Sequence, residues 1–356
     1  MKTWLVASVM LLMVAVPETG ISCSTFQISH GVNKVFGKSY DWHADHGLVI
    51  ANKAGLQKSA IDLRGTGTPA TWTSRFGSLT FSQHGQDMPL GGLNEAGLVV
   101  EIMILGGSSY PRLGSRPMVN ELQWIQYILD TSATVEEAQA NAQAVDIDRL
   151  RAGVHYLVCD LSGDCATFEY INRRLTIHSG DRLPAGALTN STYAQSADYL
   201  AEHVGFGGNR RIPTSNSSLD RFVRVAAKAK SFDGSAEEEV EAAGNILDSV
   251  QMRSTVWQIV YNPGEGEIVM HHVATGERYN YALRNHDFSC AETASFRDLD
   301  GDVTGQVDEE FAALSYATNH DLVDAGNRSL GSMFSAGQVA AIARHPQTFR
   351  CVESID

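Results

Sequence analysis

Cys23-Ser24-Thr25-Phe26 follows a stretch with the features of a secretion signal, and the reading of that junction decides the fold. Lys2 precedes an apolar run from Trp4 to Val16, and Pro17-Glu18-Thr19 then leads into Gly20-Ile21-Ser22. This is the layout of a cleaved signal peptide over residues 1–22. The apolar run is short for a bilayer span. Cleavage after Ser22 makes Cys23 the first residue, with a thiol and a free α-amine together. Their reference pKa values, about 8.5 and about 7.7–8.0, nearly match. One residue then supplies both a nucleophile and its general base. Two alternatives stay open: an uncleaved anchor, and a lipoprotein acylated on Cys23. Acylation would block both reactive groups, and Gly20 stands where such signals usually carry Leu.

The formal net charge is −14, and removing residues 1–22 takes away one Lys and one Glu and leaves it unchanged. An acidic protein is a poor binder of nucleic acid or anionic lipid. No other stretch is apolar enough to cross a membrane. The expected location is secreted or periplasmic. Five cysteines fit an oxidising compartment. Cys159 and Cys165 flank the turn Asp160-Leu161-Ser162-Gly163-Asp164 and can close across it. Cys290 and Cys351 would then tie the last segment to itself. Four cysteines allow three pairings, and buried free thiols are the alternative.

The 334 residues after the signal show no solenoid repeat and no low-complexity linker. They read as one dominant domain over 23–286 and a C-terminal appendage over 287–356. Cys23–Ile28 and Val35–Trp42 read as strands around the turn His30-Gly31-Val32-Asn33. Ser78–Gln83 and Gly97–Leu105 form a second strand pair around Pro89-Leu90-Gly91-Gly92. His155–Asp160, Ala166–Ile171 and Leu175–His178 form a third group, and Thr255–Tyr261 with Glu267–Val273 a late hairpin. Helices are predicted over Asn120–Leu129, Ala194–Val204 and Leu219–Ala229. Two more start at the capping boxes Thr134-Val135-Glu136-Glu137 and Ser235-Ala236-Glu237-Glu238. Strands grouped apart from helices imply an α+β class.

A turn centred on Val32 sets Cys23 opposite Asp41, within reach of a carboxylate that holds the α-amine. Lys38, three residues from Asp41, falls on the other face under strict pleating. A bulge at Gly37 would bring it round, and a cation near Cys23 would lower the thiol pKa.

Cys23-Ser24-Thr25-Phe26, Gly37-Lys38-Ser39-Tyr40-Asp41-Trp42 and Gly92-Leu93-Asn94-Glu95-Ala96-Gly97-Leu98 together resemble the choloylglycine hydrolase family. Leu188-Thr189-Asn190-Ser191 and Asp220-Arg221-Phe222-Val223-Arg224 continue the resemblance, in order, over about 23–275. These are linear-amide C–N hydrolases that include bile salt hydrolases and penicillin V acylases. The resemblance implies the four-layer αββα sandwich of N-terminal nucleophile hydrolases. It implies Cys23 as nucleophile, Asp41 as orienter of its amine, Asn190 as a side-chain oxyanion donor and Arg221 as a residue that orders the nucleophile. The family usually has Arg where Lys38 stands, so the charge is kept and the planar fork lost. Ile104 stands where some members place Asn or Tyr, and its backbone N–H still serves as an oxyanion donor. The missing polar side chain argues for a substrate preference other than that of a bile salt hydrolase.

No metal and no cofactor are expected. Trp42-His43-Ala44-Asp45-His46 lies at a strand end, where neighbouring side chains point apart. Asp298-Leu299-Asp300-Gly301-Asp302 opens like a calcium loop with Glu309 twelfth, but Val303 replaces the glycine expected sixth. The expected partner is a small N-acyl amide of penicillin V, bile salt or acyl-homoserine lactone type. Assembly as a homo-oligomer stays open. The competing class is a lipid-anchored, non-catalytic binding protein on the same scaffold.

Overall fold

Phe26, Ile28 and Val35 lie on one face of the first two strands and Phe36 on the other, and all four are essentially buried, so the hairpin is covered on both faces. The structure, a computed structural model, describes residues 22–30, 33–65, 67–235, 238–299, 305–307 and 310–352. Ser24–His30 and Asn33–Asp41 pair as an antiparallel hairpin, from Ser24 opposite Ser39 to His30 opposite Asn33. They enter a sheet ordered Ala187–Leu188, Ser24–His30, Asn33–Asp41, Thr255–Asn262, Glu267–His272, Arg278–Ala282 and Gly305–Gln306.

A second sheet runs Arg174–Ser179, Cys165–Ile171, Val154–Cys159, Val99–Ile104, Gly91–Asn94, Ser78–Ser82, Leu48–Asn52, Ser295–Asp298 and Ala312–Ala313. Leu48–Asn52 and Ser78–Ser82 are buried along their whole length, as strands covered on both faces must be. The two sheets pack face to face. Phe81 meets the rings of Tyr261 and Tyr281 edge-on at 6.3 Å, and Tyr261 donates its hydroxyl to Glu101 Oε1 (2.5 Å).

Helices α1 (Gln123–Thr131) and α2 (Val135–Ala144) cover the outside of the second sheet. Helices α3 (Tyr193–Ala201), α4 (Ser218–Lys230) and α5 (Glu239–Asp248) flank the first sheet, with α4 and α5 on its strands. The order is therefore the four-layer αββα sandwich. Local chemistry starts the helices: Thr134 Oγ1 accepts from Glu137 N, and Ser217 Oγ accepts from Asp220 N (both 3.2 Å).

Two details of the hairpin differ from the sequence expectation. Ser24 faces Ser39, so pairing is shifted by one residue and Asp41 instead faces Thr255 on the neighbouring strand. The connection between His30 and Asn33 holds two residues, whereas a centre on Val32 assumes three. No bulge occurs at Gly37. A Cβ there would lie 2.6 Å from the Phe26 ring, which explains the glycine. The irregularity lies between Thr255 and Trp257, across from Asp41 and Tyr40.

Disulfides join Cys159 to Cys165, directly opposite in the ladder, and Cys290 to Cys351. Residues beyond 286 thread into the body: Ser295–Asp298 pairs with Leu48–Asn52, and Arg350–Cys351 with Leu56–Ser59. Between them, α6 (Tyr316–Ser329) and α7 (Ala336–Arg344) pack on each other and on Ile61 and Met88. Most of the calcium-like loop, and both residues of the first hairpin turn, lie outside the described residues. Among the described residues no helix is long and apolar enough to cross a membrane.

Candidate active site

Ser218 opens α4, and its hydroxyl accepts from Asn190 N and from Ser191 Oγ (both 2.9 Å). Thr189 Oγ1 reaches the Ser218 carbonyl and hydroxyl (both 3.0 Å). The Thr189-Asn190-Ser191 segment is thus stitched to the helix that carries Arg221. His155 tightens it from below, with Nε2 on Thr189 O (2.6 Å) and Nδ1 on Glu169 Oε1 (2.9 Å).

Arg221 is fully buried and reaches from α4 to the start of the first strand. Its Nη1 donates to Cys23 O (2.7 Å), Ser24 Oγ (2.5 Å) and Ser22 O (3.0 Å). Its Nη2 donates to Asn190 Oδ1 (2.9 Å) and Ser22 Oγ (2.6 Å). Asn190 in turn donates through Nδ2 to the carbonyl of Ile104 on the second sheet (2.9 Å). The amide is therefore locked in orientation, with one further N–H to offer.

Cys23 is buried and is the one free thiol among the described residues. Burial pushes its pKa up, and Asp41 adds to the rise, while Lys38, the Asp41 N–H and Arg221 pull it down. Asp41 is also fully buried, and burial lifts its carboxyl above the usual range. Its Oδ1 accepts from Thr255 Oγ1 (2.6 Å) and Ser39 Oγ (3.1 Å). Its Oδ2 has no hydrogen-bond partner among the described residues. A buried carboxylate oxygen left unpaired is costly.

Lys38 stays on the face that strict pleating gives it, turned toward the second sheet. Its Nζ pairs with Glu101 Oε2 (3.1 Å), donates to Ile102 O and approaches Met103 Sδ (3.5 Å). It acts on Cys23 through its charge, and it takes its hydrogen bonds from the opposite sheet.

Cys23, Asp41, Asn190, Arg221, Lys38 and Ile104 all converge on this junction. Glu101, Thr255, Ser39, Ser218 and His155 complete it and were not read from the sequence. Glu101 had a legible signal: it is the one charge in Val99-Val100-Glu101-Ile102-Met103-Ile104, and a carboxylate in such a strand needs a buried partner. Among the described residues no group of three His, Cys, Asp or Glu is set to hold a metal. His43, second in the stretch Trp42–His46, donates its Nε2–H to Ser329 O (2.6 Å).

A cavity opens from Cys23 between the sheets, walled by Tyr40, Ile102, Ile104, Met88 and Leu90 and by side chains of α6 and α7. The space in it that water-sized molecules can occupy is about 110 Å³.

A family model described as linear amide C–N hydrolases, choloylglycine hydrolase family, matches residues 23–268. The penicillin V acylase of Pectobacterium atrosepticum is 33% identical over 179 residues, which is 46% of this chain and 47% of that protein. The match therefore spans about half the length of that curated relative. The solved structure of penicillin V acylase from Agrobacterium tumefaciens has a TM-score of 0.72 at 25% identity, over 82% of this chain and 98% of that one. A conjugated bile acid hydrolase from Clostridium perfringens gives 0.63 at 14% identity, over 79% and 98% of the two chains. That last likeness is one of fold.

Proposed function

The chain belongs to the choloylglycine hydrolase family of linear amide C–N hydrolases, and from that premise we propose that it hydrolyses N-acyl amides through Cys23 once residues 1–22 are removed, in a secreted or periplasmic setting. The observation that carries the proposal is the unpaired Asp41 Oδ2 beside a buried, free Cys23. A free α-amine at Cys23 is the donor that oxygen lacks.

The α-amine takes the thiol proton, and the sulfur attacks the amide carbonyl carbon. The C–O π electrons move to oxygen, where the remaining Asn190 N–H and the Ile104 N–H receive the charge. Asn190 needs no reorganisation, because Arg221 and the Ile104 carbonyl already fix its amide. As the C–N bond breaks, the Cys23 ammonium gives its proton to the leaving amine. Once that amine has left, the Cys23 α-amine takes a proton from a water, whose oxygen attacks the thioester carbon. The C–S bond breaks, the ammonium returns the proton to the sulfur, and the acid leaves with Cys23 restored. Asp41 holds the amine, Arg221 holds the Cys23 carbonyl, and Lys38 offsets the cost of a buried thiolate. Penicillin V, named for two of the similar proteins, is the first substrate to test.

N-terminal sequencing of the secreted protein should begin at Cys23, and the protein should cleave a phenoxyacetyl amide. Cys23→Ala should remain folded and processed and lose all turnover. Asn190→Ala should lose about 10²–10³-fold in kcat. Amidase activity retained by Cys23→Ala, or an acylated Cys23 in active protein, would reject the scheme.

A further inference from the structure

One wall of the cavity comes from a part of the chain that the family match does not reach. The match ends at residue 268, whereas Val323, Asn327 and Leu330, then Phe334, then Ile342 line the cavity that Cys23 opens into. These residues belong to α6, the α6–α7 connection and α7.

This wall is built to stay in place. A Cβ on Gly326 would lie 2.3 Å from Gln83 O, so α6 sits directly on the second sheet's Gln83–Gln86 turn. Asn319 Oδ1 accepts from Gln86 N, and its Nδ2 donates to Ala343 O (both 2.8 Å). Asn327 grips the Phe334 backbone from both sides, accepting its N–H (2.8 Å) and donating to its carbonyl (3.0 Å). Arg151, on the rim, donates to Leu330 O (2.5 Å).

The lining also says which half of an amide enters. The carboxylate of Glu121 is taken up by the N–H groups of Leu150, Arg151 and Ala152 (2.7, 2.8 and 3.1 Å). The guanidinium of Arg151 is exposed at the mouth and bonded to Leu330. No unpaired charge lines the interior among the described residues. Amide hydrolysis releases an amine that is cationic near neutrality, and such a group is costly to hold in an apolar cavity. The acid product forms its carboxylate where the bond is cut, at Cys23, and only the chain attached to it has to lie against the apolar walls. The half that fits is an uncharged acyl chain.

Resting on the amidase reading above, we propose that the α6–α7 hairpin is the acyl-selectivity wall of this enzyme. Leu330 and Phe334 set the length of aliphatic or aryl-ether acyl group accepted, and Asn327 is the positioning residue for Phe334.

The test uses p-nitroanilides from butanoyl to dodecanoyl, measured as kcat/KM on the processed protein. Phe334→Ala should move the preferred chain to longer acyl groups, and Leu330→Trp to shorter ones. Each should change the long-to-short ratio by about tenfold. Phe334→Leu serves if the alanine variant does not fold. A second arm measures calorimetric binding of the same amides to Cys23→Ala, where no turnover is needed. Affinity that tracks chain length and shifts with Phe334 upholds the wall, even if the wild type turns over no amide and the amidase reading falls. Turnover whose length profile is the same in wild type, Phe334→Leu and Leu330→Trp overturns the wall and leaves the amidase reading standing. Absence of both turnover and length-dependent binding overturns both.

Discussion

Lys38 and Glu101 put opposite charges in the dry space between two sheets, 3.1 Å apart and almost fully buried. Burial pushes the Glu101 carboxyl up, and Lys38 is the largest influence pulling it back. Such a pair is worth little against apolar replacements, but breaking it is expensive. Lys38→Met should therefore cost about 3–5 kcal/mol in chemical denaturation, and Lys38→Met with Glu101→Leu should recover most of that loss. In the double variant Cys23 also loses its strongest thiolate-favouring neighbour. Its alkylation by iodoacetamide at pH 8 should be slower than in the parent. Equal denaturation midpoints for the single variant and the parent would contradict this account. The face on which Lys38 lies was legible from the pleat alone. Its partner was not, because Glu101 sits more than sixty residues away and nothing local marks the pairing of one sheet with the other.

At the level of elements, α2 was legible from its capping box and α4 from its periodicity, and they start where Thr134 and Ser217 supply an acceptor; α7 was not, although Ser335 caps it and it buries Val339 and Ile342. The register of the first hairpin was not, since a two-residue and a three-residue turn both fit His30-Gly31-Val32-Asn33, and the difference moves every partner by one. The glycines of Pro89-Leu90-Gly91-Gly92 read as a turn, whereas Gly91–Asn94 is a strand. Gly91 is in fact where a Cβ would strike the Glu101 carboxylate, 2.3 Å away. Helix α6 is hard to read for a related reason. It buries Asn319, Gly326 and Asn327 alongside Leu322 and Val323, so polar and small residues interrupt its apolar face. Gly326→Ala should force that helix off Gln83 and cost about 1–3 kcal/mol. Differential scanning calorimetry would read this as a lower melting temperature, and an unchanged melt would show that the contact can relax.

Over the whole molecule, strands grouped apart from helices gave the α+β class, and the four-layer order came only through the resemblance that the five motifs carry. The course of the last seventy residues was not legible, since their strands pair with Leu48–Asn52 and Leu56–Ser59 far upstream. The disulfides rank differently in what they hold. Cys290–Cys351 spans 61 residues and Cys159–Cys165 spans 6. Loop-closure entropy assigns about 4 kcal/mol to the first and about 2 kcal/mol to the second. Double Ser variants of each pair, unfolded in urea without reductant, should differ in that order, and the reverse order would mean that native-state strain decides. This stretch pairs with the body near both of its ends and is closed on itself by Cys290–Cys351, while the helices it carries line the cavity at Cys23. A change in α6 or α7 would therefore alter what faces Cys23 from one side, whereas the strand that follows Cys23 belongs to the other sheet.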